Sequence, residues 1–156
     1  MNPAEPASAD ASDALRATRE LHAETEALLE AVADRYGLNR NDLRCLEILQ
    51  RHGEMRARRL ATLSHLSPAA VTKVVDRLVA AGYATRRQSA EDRRAQIIGV
   101  SDRHSELRTA IWDPVREDAT AVLDESSADE LRSLTSIVRR LAEVNRAHAR
   151  RIAPRE

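Results

Sequence analysis

The chain contains no phenylalanine, and Tyr36, Tyr83 and Trp112 are its only Phe, Trp or Tyr residues. An all-β fold is therefore disfavoured. Leucine, valine, isoleucine and alanine must fill the interior, and that composition points to helices. Cysteine is reduced to Cys45, which rules out an intrachain disulfide framework. The N-terminus lacks a basic region followed by an apolar run, and no stretch approaches membrane-spanning length, so a cytoplasmic protein with no membrane partner is expected. There is no glycine-rich phosphate loop, and Ser64-His65 has no nucleophile elbow around it. The histidines His22, His52, His65, His104 and His148 show no paired metal-ligand spacing, although ligands converging from separate helices stay open. No enzyme activity, cofactor or metal is expected.

Lysine is nearly missing as well: of 25 basic residues only Lys73 is lysine. The formal net charge is zero, but the charge is unevenly placed. Residues 51–94 hold ten Lys/Arg against four Asp/Glu, and the remainder is acidic by the same margin. A basic middle between acidic ends suggests that the middle meets a polyanion. At 156 residues, 42% of them apolar, the chain suffices for one domain with dimerisation elements.

The most informative stretch runs from Ser67 to Gly82, SPAAVTKVVDRLVAAG. Ser67 can cap a helix by accepting from a first-turn N–H, Pro68 suits the first helical position, and Gly82 supplies the left-handed stop. Val71, Val74, Val75 and Leu78 recur at helical spacing and form one apolar face. The other face holds Ala69, Ala70, Thr72, Lys73, Asp76 and Arg77. Small residues precede long cations there, as suits a helix that enters a DNA major groove by its N-terminal end.

Residues 1–12 are Ala, Pro, Ser and acid, and read as a disordered tail. An amphipathic helix follows from Asp13 to about Tyr36, a second spans Asn39 to Arg51, and a third runs from Arg56 to Leu66. A tight turn at His65–Pro68 joins the third to the Ser67–Gly82 helix in a helix-turn-helix pattern. Beyond Gly82 the period changes: YATRRQ (83–88) and QIIGVS (96–101) flank the charged segment SAEDRRA (89–95). This predicts a β-hairpin wing with Arg86 and Arg87 on its first strand, Arg93 and Arg94 near its tip, and Asp92 close enough to clamp an arginine.

Two further helical stretches follow. Asp113-Pro114 predicts a kink or restart in the first, with Asp113 capping the second half. Ser126-Ser127 predicts the start of the last, with Asp129 and Glu130 in its opening turn. Long amphipathic helices at both ends exceed what one small domain can cover. Packing of two chains is the economical answer, and mutual burial within a monomer is the alternative. Cys45, among Leu43, Leu46 and Leu49, reads as a buried thiol, with a redox switch as the competing role.

These pieces together resemble the MarR (multiple antibiotic resistance regulator) family of dimeric winged helix-turn-helix transcription regulators. Leu60-Ala61, Ser67, Val71-Thr72, Val75-Asp76, Leu78, Gly82, Arg86, Arg87, Asp92 and Arg94 occupy the family's pattern. The resemblance covers nearly the whole chain after Asp13 and departs at Asp102-Arg103-His104, where many members have glycine. It implies a mainly α fold with a small β-hairpin wing: a winged helix-turn-helix over 38–101, with N- and C-terminal dimerisation helices in 13–36 and 102–152. It also implies a homodimeric repressor on an inverted-repeat DNA operator, contacting double-stranded DNA through Ser67, Ala69, Thr72, Lys73, Arg77, Arg86, Arg87, Asp92, Arg93 and Arg94. Asp92 would orient Arg94 toward the adjacent minor groove. A small aromatic or anionic effector is implied too, and Trp112, His22, Arg16 and Arg19 are its lining by helix position. The competing class is a winged-helix protein-interaction or dimerisation module that binds no DNA.

Overall fold

A computed structural model describes residues 9–90, 92 and 95–152. The element order is α1 (Ala9–Tyr36), α2 (Arg40–His52), β1 (Met55–Arg56), α3 (Ala57–Ser64), α4 (Pro68–Ala80), β2 (Ala84–Gln88), β3 (Gln96–Val100), a 3-10 turn (Asp102–His104), α5 (Ser105–Asp124) and α6 (Ala128–Ile152). The chain divides into two compact units, residues 1–106 and 107–156.

The core of the first unit is aliphatic, as the missing phenylalanine requires. Leu43, Leu46 and Leu49 of α2, Leu60 of α3, Val71, Val74, Val75 and Leu78 of α4, and Ile98 of β3 are all buried. Capping sets the helix ends. Asn39 Oδ1 accepts from the Asp42 N–H at 3.0 Å to start α2, and Ser67 Oγ accepts from the Ala70 N–H at 3.2 Å to start α4. His65 takes a left-handed conformation (φ 56°) between α3 and α4, which makes the turn tight without a glycine. At the far end of α4, Gly82 has φ 80° and the Tyr83 N–H donates to the Leu78 carbonyl at 2.8 Å, a wide closing bond of the Schellman type.

The hairpin is joined by a third strand. β1 pairs antiparallel with β3 (Met55 opposite Ile98), and β3 pairs antiparallel with β2 (Arg86 opposite Ile98), giving the order β1-β3-β2. Two residues are too few for an alternating pattern, so β1 is not legible in the sequence; its pairing with β3 defines it.

Three other expectations are revised. Ala9–Ser12, read as part of a tail, belong to α1, while residues 1–8 lie outside the described residues. α3 is shorter than expected, ending at Ser64, with Leu63 and Leu66 only half-buried. Asp113-Pro114 does not restart the chain: α5 is one helix with Pro114 inside it, and Asp113 accepts from Arg116 at 2.6 Å. Proline at that point forfeits one backbone bond and crowds the preceding turn, a cost the rest of a 20-residue helix absorbs.

In the second unit α6 opens with a capping box. The Ser127 N–H donates to Glu130 Oε2 at 2.8 Å, and the Glu130 N–H donates to Ser127 Oγ at 3.3 Å. The bonds from Ser127 hold the Glu130 carboxyl below its usual range. A group depressed in the folded state supports folding above its unfolded pKa and loses that support as pH falls. The first turn of α6 is therefore expected to fray on acidification below the ordinary carboxylate range, with exchange of the Glu130 amide as the readout. Neither α5 nor α6 has a buried residue, so in a single chain both apolar stripes are half-buried at most.

Candidate nucleic-acid interface

The recognition-helix candidate is α4. Its inner face is the buried valine–leucine row, and Ser67, Ala69, Thr72, Lys73, Asp76 and Arg77 are exposed on its outer side. The Thr72 hydroxyl donates to the Pro68 carbonyl at 3.0 Å, which restrains its rotamer. Lys73 forms no ion pair among the described residues, so its ammonium is available to an external anion.

The arginines differ from Lys73 in this respect. Arg77 reaches 35 residues back in sequence to Asp42 on α2: Nε donates to Oδ2 at 2.9 Å and Nη2 to Oδ1 at 2.6 Å. The Asp42 side chain is only 2% exposed, whereas that of Arg77 is 48% exposed. The carboxylate raises the pKa of the Arg77 guanidinium further. This side-on, two-point contact fastens α4 to α2 from the flank of the helix, beside the valine row. No spacing rule within one helix finds such a partner, and Asp42 is the residue that sequence reasoning missed here.

Arg86 and Arg87 are successive residues of β2, so they leave opposite faces of the strand. Arg86 Nη2 donates to Asp76 of α4 at 2.5 Å, and Arg87 Nη2 donates to Glu54 at 2.6 Å. Asp92 is exposed, while Arg93 and Arg94, and with them the Asp92–Arg94 clamp, lie outside the described residues.

The end of α4 is held from two sides. The Tyr83 hydroxyl donates to the Tyr36 carbonyl at 3.1 Å, and the two rings stack at 5.2 Å. His104 lies 4.3 Å from the Tyr83 ring with Nε2 3.0 Å from the Ala81 carbonyl. The segment Asp102-Arg103-His104 thus seats on the helix terminus. A Cβ at Gly82 would come within 2.7 Å of the Arg103 side chain.

Cys45 of α2 is buried, and burial pushes its thiol pKa up. In the native protein at neutral pH it is expected to resist an aromatic disulfide reagent and to react fully once denatured; rapid native labelling would contradict this.

The effector residues fall in different units. Arg16, Arg19 and His22 lie on α1, all exposed, with Arg16 paired to Asp13, while Trp112 is half-buried on α5. Within the first unit, a cleft of about 540 Å³ between α1 and α2 is lined by Glu26, Glu30, Arg40, Arg44 and Glu47 and by none of these four. Among the described residues no group of three or more His, Cys, Asp or Glu could hold a metal. No helix there is long and apolar enough to cross a membrane.

A three-stranded wing beside a helix-turn-helix, with a cation-bearing second helix, defines the winged helix-turn-helix class. The family model described as the MarR family matches residues 38–95. The chain is 30% identical over 131 residues to the uncharacterized HTH-type transcriptional regulator YcgE of Bacillus subtilis (strain 168), covering 84% of this chain and 85% of that one. In fold it is similar to RV1404 from Mycobacterium tuberculosis (TM-score 0.67, 25% identity, 92% of this chain and 97% of that chain). It is also similar in fold to the MarR family transcription regulator SP03579 (TM-score 0.69, 20% identity, 90% and 93%). The chain belongs to the MarR family of transcription regulators, which bind DNA and act as dimers.

Proposed function

We propose that the protein is a homodimeric repressor that reads an inverted-repeat operator with paired α4 helices and wings, and that a small aromatic or anionic effector releases it. The observation that carries the DNA reading is the outer face of α4, where small Ala69 and Thr72 stand beside Lys73, a cation with no ion pair among the described residues. Thr72 and Ala69 are short enough for a base edge to approach the backbone, and Lys73 can meet a phosphate. Arg86, Arg87, Arg93 and Arg94 on the wing extend the cationic surface toward the neighbouring groove, with Asp92 orienting Arg94.

Arg77 is assigned a different part in this reading. With Nε and Nη2 engaged by Asp42, it sets the seating of α4 and contributes charge, while Thr72 and Lys73 do the contacting. Dimerisation is supported by the uncovered apolar residues of α1, α5 and α6, among them Leu21, Val122, Ile137 and Val138. A symmetric dimer places two recognition helices about one helical turn (~34 Å) apart. Repression and effector release follow the family's mode of action.

Salt-dependent fluorescence anisotropy on a duplex that the protein protects tests the contact set. Lys73→Ala and Arg94→Ala are each expected to weaken binding and to lower the slope of log K against log salt by about 0.9. Slopes unchanged in both variants would remove these residues from the interface.

A further inference from the structure

Glu54 sits between Gly53, the stop of α2, and the short strand β1. The strand register carries it onto the row of Gly99 and Thr85, because Met55 faces Ile98, and Gly99 faces Thr85. Arg87 lies one row further along the same face, opposite Ile97. To reach it, the Glu54 side chain lies across β3 at the position where that strand has no side chain of its own. A Cβ on Gly99 would stand 3.1 Å from both Glu54 Cγ and Oε1. The outcome is a 2.6 Å contact between Glu54 Oε2 and Arg87 Nη2, with both side chains more than half exposed. β1, Gly99 and β2 thus combine to put a carboxylate on a wing arginine.

The consequence for a polyanion follows from the charges. An exposed, singly bonded ion pair contributes little to stability, so the pair is not needed to hold the wing together. A phosphate that approaches Arg87 must either displace Glu54 or lie within a few ångströms of a second negative charge. In either case the favourable arginine–phosphate contact is reduced by a like-charge term that salt screens only partly at that range. The orienting benefit of one hydrogen bond to a mobile arginine is the smaller of the two effects. Asp76 holds Arg86 in a comparable pair on the opposite face of β2.

Resting on the DNA-binding reading above, we propose that Glu54 is a restraining residue: by clasping Arg87 across Gly99 it lowers the wing's sequence-independent affinity for duplex DNA. This is a matter of discrimination, because every duplex offers the same phosphates and only the operator offers the right bases.

The test is Glu54→Gln, which keeps an oxygen acceptor for Arg87 and removes the charge. It is compared with Glu117→Gln, an exposed residue of α5 that matches the change in net charge. Anisotropy titrations of the full-length chain against a duplex of unrelated sequence, from low to physiological salt, give the readout. Glu54→Gln is expected to tighten binding about threefold to tenfold at low salt and to steepen the salt slope by up to about one unit. Glu117→Gln is expected to stay within a factor of two of the wild type. Unchanged or weakened binding by Glu54→Gln, or equal tightening by both variants, overturns the proposal while leaving the DNA-binding reading intact. A wild-type chain that binds no duplex at low salt overturns both.

Discussion

Replacing Ile137 on α6 by glutamate is expected to convert the protein to a monomer at micromolar concentration and to cost at least about 100-fold in operator affinity. Ile137, Leu134, Val138 and Val144 share helical spacing, and each is close to half exposed or more in the single chain. Among the described residues none on α5 or α6 is buried, so that stripe stays largely open in a single chain. A carboxylate placed in the stripe loses the apolar contact and must be desolvated to enter an interface, a combined penalty of several kcal/mol. DNA affinity then falls for a separate reason. In a dimer the second half-site binds intramolecularly, and linkage of this kind multiplies affinity by about 10²–10⁴. Sedimentation velocity gives the mass, and anisotropy the affinity; a dimer that persists at low micromolar concentration removes α6 from the interface.

Arg77→Ala is expected to lower stability by about 2–4 kcal/mol, equivalent to a drop in Tm of roughly 5–15 °C. Asp42 is the reason. Its side chain is almost fully buried, and in the variant the carboxylate keeps only the favourable field of the first turn of α2. The loss stays below the full cost of orphaning a buried charge because Arg77 is itself half in solvent, where water takes part of its place. Removal of both partners in Asp42→Ala/Arg77→Ala should recover much of the loss, as no buried charge is left behind. Thermal unfolding of the two single variants and the double variant closes the cycle. If Arg77→Ala unfolds like the wild type but loses about one unit of salt slope, Arg77 is a phosphate contact and the seating role is wrong.

The contrast between Lys73 and Arg77 shows what the sequence can and cannot disclose. Both lie on the polar side of one well-capped helix, and helical periodicity treats them alike. The caps were legible because Ser67, Pro68 and Gly82 act within one turn of where they stand, and the valine row was legible because burial follows a 3.6-residue period. The partner of Arg77 is 35 residues away on another helix, a distance that local patterns do not encode. Glu54 on Arg87 and His104 on Tyr83 were hidden for the same reason, each a long-range contact made by a side chain with no distinctive neighbours in sequence. β1 shows the limit in another form: two residues became a strand because β3 offered Ile97 and Ile98 as partners. Pro114 is the opposite case: the restart that its local signal allows does not occur, because the helix continues through it. The burial of Cys45 among its leucines is legible, since a small soft side chain on an apolar face needs no distant partner to be buried.

Two copies of α4 and its wing are expected to engage one duplex together. Protection of the DNA flanking the protein's own gene, read by hydroxyl-radical footprinting alongside the mass of the complex, addresses it directly. The expected result is two protected patches on one face of an inverted repeat, about one helical turn apart, in a complex of two chains per duplex. One chain per duplex, or a single protected patch with no symmetry partner, would contradict it.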